Sequence, residues 1–110
     1  MHVMDWPADD DMAALHSPAF IEYRQRREAE ARRRLDALIP ASARDICRVE
    51  VVLAAGRPHV EITQLARDTV ADLIVIGVHG RGTVDLTLFG STTHQVVRHA
   101  SCPVLIVHAK

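Results

Sequence analysis

Hydrophobic and polar positions along this chain alternate between two periods. Residues 71–76, Ala71-Asp72-Leu73-Ile74-Val75-Ile76, form an apolar run with one acidic residue, closed by Gly77. Such a run predicts a strand over 71–77 that is buried on both faces. Arg48-Val49-Glu50-Val51-Val52-Leu53 alternates at its start and turns apolar at its end, which predicts a second strand. A last strand is predicted over 104–108, and His2-Val3-Met4 reads as the end of another. Between the strands the spacing becomes helical. Ile62, Leu65, Ala66 and Thr69 share one face of a helix over 58–69, and Val96, Val97 and Ala100 mark a further helix after Gly90. Ser17-Pro18 reads as the N-cap and first residue of a helix that runs to Leu38 and stops before Pro40. Its apolar stripe of Ile21, Ala31, Leu35, Leu38 and Ile39 is thin, as in a helix lying on a surface. Helices alternating with apolar strands predict an α/β fold: an open parallel sheet with helices on both faces.

Charge adds detail to that first helix. Arg24, Arg26, Arg27, Arg32, Arg33 and Arg34 suggest a nucleic-acid surface. Glu22/Arg26, Glu28/Arg32 and Glu30/Arg34 are nevertheless acid-first pairs four residues apart, which predicts a solvated, self-paired face. No aromatic set interleaves the arginines to stack bases. The chain of 110 residues has a net charge of -1, so nothing marks it as a whole for nucleic acid. Asp9, Asp10 and Asp11 lack the spaced partners of a metal site. His94 and His99 are five apart, where two ligands on one helix face need four. Cys47 and Cys102 sit in or beside apparent core segments and are expected to be buried, reduced thiols. The first residues show no basic and apolar leader pattern, and no apolar run approaches a membrane span of roughly 20 residues. A cytoplasmic protein of one domain over 1–110 is expected.

The candidate chemistry lies where the 71–77 strand gives way to the last helix. Gly77-Val78-His79-Gly80-Arg81-Gly82 is followed by Gly90-Ser91-Thr92-Thr93. The first-turn amides of a helix have no intrahelical acceptor and can converge on an anion. Glycines admit positive φ and close backbone approach, so successive amides can form a nest. Ser91 and Thr93 serve equally as N-caps or as hydroxyl donors to a phosphate. Arg81 can pair with phosphate oxygens or face solvent. Two familiar loops fail. Gly77-x4-Gly82-Thr83 lacks the lysine of a P-loop, and Asp85 stands where a dinucleotide fingerprint needs its third glycine.

What remains, Gly77-x2-Gly80-x9-Gly90-Ser91, resembles the ATP-binding branch of the universal stress protein family. Both flanks agree: Asp72-Leu73-Ile74-Val75-Ile76 before it, and Val97-Arg98-His99-Ala100-Ser101-Cys102-Pro103-Val104-Leu105-Ile106-Val107 after it. Gly56-Arg57-Pro58 is similar to the same family, so the likeness spans about residues 49–107. The resemblance implies a Rossmann-like fold of the adenine nucleotide alpha hydrolase type, with five parallel strands in the order 3-2-1-4-5. Matched from its end, the chain supplies strands 5, 4, 3 and 2 and leaves nothing for strand 1. The fold is therefore expected to be incomplete at its N-terminus, without the strand-1 aspartate that contacts adenine. The resemblance implies ATP, with Mg2+ accompanying it, as ligand. Gly56, Gly77, His79, Gly80, Arg81, Gly90, Ser91, Thr92 and Thr93 are then the nucleotide-binding set, with the Gly56 turn near the ribose.

Two functions follow. The first is an ATP-binding regulatory protein of stress response, with slow hydrolysis at most, since no general base or Walker lysine is visible. The second is a dimerisation or interaction module of the same fold that binds no nucleotide. Either is expected to be a homodimer built on the edge strand Val104, Leu105, Ile106 and Val107, because an apolar edge is a template for pairing.

Overall fold

The computed structural model describes residues 1–4, 16–79 and 90–109. Contacts divide the chain into two compact units, 1–56 and 57–110.

The first unit opens with strand β1 (His2–Met4). Helix α1 (Pro18–Leu38) follows, and it starts as the sequence predicts. The Ser17 hydroxyl accepts from the Phe20 amide at 3.2 Å, and Pro18 occupies the first turn, where its missing N–H costs nothing. Ile39 leaves the helix at ψ 112, as a residue before proline must. A short helix α2 (Ala41–Ile46) comes next, a turn too brief to show a period in the sequence. Arg44 ties it back to Asp36 of α1 at 3.1 Å. Cys47 closes α2, its amide donating to Ala43 at 2.9 Å. That position leaves the thiol exposed, against the expectation of burial, while Cys102 is half-buried. Strand β2 is Leu53–Ala55, later than the predicted 48–53, because pairing with β1 selects the apolar end of that run. The two strands are parallel, with His2 opposite Leu53 and Met4 opposite Ala55. Met4 is the buried residue among those described in this unit, and α1 packs on β2.

The second unit contains α3 (Pro58–Asp68), β3 (Ile74–His79), α4 (Ser91–His99) and β4 (Val104–Ala109). The β3 and β4 strands pair in parallel, Ile74 opposite Val104 and Ile76 opposite Ile106. Helices α3 and α4 pack on one another, with Ala66, Val96, Thr63 and Thr93 buried. Thr63 returns its hydroxyl to the carbonyl of His59 at 2.8 Å, so it enters the core satisfied. The strand pair is covered on one face. Ile74 and Ile76 are half-buried, whereas Val75 between them is 60% exposed. The sequence run predicts burial on both faces, but a β–α–β crossover places its helix on one side of the pair.

Both sheets are two-stranded and parallel. They match neighbours 3-2 and 4-5 of the five-strand order that the resemblance implies.

Candidate functional site

The site is built on the start of α4. Gly90 is the N-cap, at φ -51 and ψ 158, and it has no side chain with which to cap the helix. The first intrahelical bond of the turn runs from the His94 amide to the Gly90 carbonyl at 3.2 Å. The amides of Ser91, Thr92 and Thr93 therefore lie in the orphan positions of the first turn, and among the described residues no capping side chain answers them. The start of α1 differs, because there Ser17 occupies one such amide. Of the two roles open to Ser91 and Thr93, the N-cap falls away: both lie inside the helix, and Gly90 takes the cap. The helix has no acidic residue in its first turn and carries Arg98 and His99 in its last. Its N-terminus thus presents the positive end of the helix dipole without a competing carboxylate on that turn.

Thr93 is the informative side chain. It is only 4% exposed, and its hydroxyl has no hydrogen-bond partner among the described residues. A buried hydroxyl left without a partner costs free energy, so an oxygen ligand at this turn would relieve it. Thr92 is half-buried beside it and Ser91 is exposed.

Gly77 lies in β3 opposite Val107, and His79 ends the strand opposite Ala109. Neither Gly77 nor Gly90 uses positive φ, which corrects the expectation of a left-handed nest at these two positions. A Cβ built on either would meet no atom within 4 Å. The space beside both glycines is open, which is what close approach of a ligand requires. Gly80 and Arg81 lie outside the described residues.

Gly56 belongs to the first unit, just past β2. It does adopt a conformation reserved for glycine, at φ 134, and its amide donates to the Met4 carbonyl at 3.1 Å. Pro58 then occupies the first turn of α3.

No group of three or more histidine, cysteine, aspartate or glutamate side chains among the described residues could hold a metal ion. No described helix is long and apolar enough to cross a membrane.

The arginines of α1 are largely paired with neighbours on the same helix. Arg26 meets Glu22 at 3.8 Å, and Glu30 receives both Arg33 and Arg34. The predicted Glu28/Arg32 pair does not form. Glu28 is taken by Arg24 at 2.9 Å, one turn earlier.

Comparison with known proteins gives a consistent picture. The universal stress protein family matches residues 1–108. The chain is 36% identical over 63 residues to the universal stress protein MJ0577 of Methanocaldococcus jannaschii, a match covering 57% of this chain and 39% of that one. It is 45% identical over 60 residues to a universal stress protein of Thermus aquaticus encoded in the QAH/OAS sulfhydrylase 3' region, covering 54% and 44%. These matches span less than half the length of either relative. Among solved structures, that of MJ0577, determined to assign its biochemical function, superposes with a TM-score of 0.75 at 28% identity, over 99% of this chain and 73% of the other. A universal stress protein in complex with cAMP superposes with a TM-score of 0.51 at 27% identity, over 98% and 71%.

Proposed function

The chain belongs to the universal stress protein family, and from that premise we propose that it is a cytoplasmic regulatory protein that binds ATP at the start of α4. The single observation that carries this reading is the buried Thr93 hydroxyl, without a partner among the described residues, in a first turn that no described side chain caps. A phosphate oxygen there would accept from orphan amides and from the hydroxyl while lying at the positive end of the helix. The glycine spacing 77, 80, 90 followed by Ser91 supports a triphosphate, and a solved relative that holds cAMP supports an adenine nucleotide. The resemblance adds His79, Gly80 and Arg81 to the residues that would bind the nucleotide. The resemblance places the Gly56 turn near the ribose. The glycine motif lacks a Walker lysine, which supports a nucleotide-controlled switch over a fast enzyme. The protein would act as one domain, assembled as a homodimer.

Calorimetric titration with ATP, ADP and cAMP, each with and without Mg2+, tests the proposal. Saturable ATP binding is expected. Absence of binding at millimolar nucleotide would overturn it.

That outcome would favour an interaction module of the same fold. The open edge of β4 supports this second reading, since no strand lies on its far side among the described residues.

A further inference from the structure

We propose that the cleft between α1 and the β1–β2 pair binds a small aliphatic carboxylate, its chain on Met4, Leu53 and Ala54 and its head group on Arg32. The cleft lies wholly in the first unit and is independent of the nucleotide reading. It has a volume of about 420 Å³, within the range of roughly 300–1,000 Å³ usual for small-ligand sites.

The sequence explains why space remains there. Arg24, Gln25, Glu28, Ala29 and Arg32 fall on one face of α1, at spacings of three and four residues. That face lines the cleft opposite Ala54 and Ala55. Alanines line it from both the helix and the strand, so among the described residues these positions put little bulk into the gap. The floor is apolar: Met4 is buried, and Leu53 and Ala54 are half-buried. A wall of this composition takes an aliphatic body and offers little to a polar one.

Charge selects the head group. Of the three charged residues lining the cleft, Arg24 and Glu28 are bound to each other at 2.9 Å. Arg32 has no ion-pair or hydrogen-bond partner among the described residues. The cleft thus has an apolar floor and, at its wall, one guanidinium that no described residue engages. Guanidinium matches carboxylate geometry bidentately. An aliphatic carboxylate satisfies both features at once, whereas an amine would meet repulsion.

Titration of the intact chain with octanoate and, separately, with octanol tests this assignment. Saturable octanoate binding is expected, with octanol weaker by about tenfold or more, since a hydrogen bond to a charged group is lost. Arg32→Gln should weaken octanoate by a similar factor. Arg27→Gln removes an exposed arginine of α1 outside the cleft and should change nothing. Ala29→Leu should fill the cleft and abolish binding while leaving helicity intact, because leucine is a good helix former. The proposal fails if octanoate does not saturate or if octanol binds as tightly. It also fails if the two arginine variants behave alike, or if Ala29→Leu binds octanoate as the unmodified chain does.

Discussion

The amide of Ala71 donates to the carbonyl of Ala66 at 2.9 Å, closing the end of α3 in a Schellman arrangement. The Val70 amide makes the inner bond of the motif, to Arg67 at 3.2 Å. The residue between the cap and Ala71 must then be left-handed, and it is Val70, at φ 50. Glycine is the usual occupant of that position, and a β-branched residue there is an outlier.

Val70→Gly should therefore stabilise the protein. The left-handed conformation costs an L-residue about 1–2 kcal/mol, and glycine returns part of that as backbone entropy. Val70 is 82% exposed, so little packing is lost. A rise in Tm of about 2–6 °C is expected by circular dichroism. An unchanged or lower Tm would count against strain at this position.

Gly90→Val should separate folding from binding. The backbone angles at Gly90 suit any residue, and a Cβ there meets no protein atom. The variant should melt within about 2 °C of the parent, yet lose ATP affinity by tenfold or more because the side chain occupies the approach to the α4 amides. Equal affinities in calorimetry would remove Gly90 from the site.

Thr93→Val keeps the side-chain shape and deletes the hydroxyl. Because that hydroxyl has no partner among the described residues, stability should hold or rise by about 1 kcal/mol. ATP affinity should fall by about tenfold, the worth of one hydrogen bond to a charged acceptor. A purely structural threonine would show the reverse pattern, with lower Tm and unchanged affinity.

The β4 edge can be tested with two prolines. The Ile74 amide donates to the Pro103 carbonyl at 3.0 Å, and peptide groups alternate in direction along a strand. Pro103, Leu105 and Val107 therefore face β3, and Ile106 faces the open edge. Ile106→Pro should leave the β3–β4 ladder intact and abolish a dimer built on this edge. Leu105→Pro should break the ladder itself and lower Tm. Sedimentation at micromolar concentration distinguishes them. A monomeric parent, or a dimer that survives Ile106→Pro, would refute the edge interface.

The α1 face should not act as a nucleic-acid surface. Arg26, Arg33 and Arg34 are bound to carboxylates on their own helix, which reduces the positive field. Duplex and single-stranded oligonucleotides should bind no tighter than about 10⁻⁴ M at physiological salt. Tight binding that is lost on changing Arg32, Arg33 and Arg34 to Gln would overturn this.

By itself the sequence determined what depends on neighbours along the chain. Ser17-Pro18 and Pro40 bound α1 because capping and proline sterics act within a few residues. The apolar runs marked the strands of the second unit, and the glycine spacing with its flanks marked the family. The tertiary structure decided what depends on partners distant in sequence. Pairing with β1 moved β2 to Leu53–Ala55, since a ladder rewards whichever residues meet across it. One-sided cover left Val75 exposed within an apolar run. The packing of α3 on α4 buried Thr93, whose sequence setting looks no different from that of exposed Ser91. Glu28 chose Arg24 over Arg32, because one carboxylate with two basic neighbours is shared out by side-chain placement, which spacing alone does not encode.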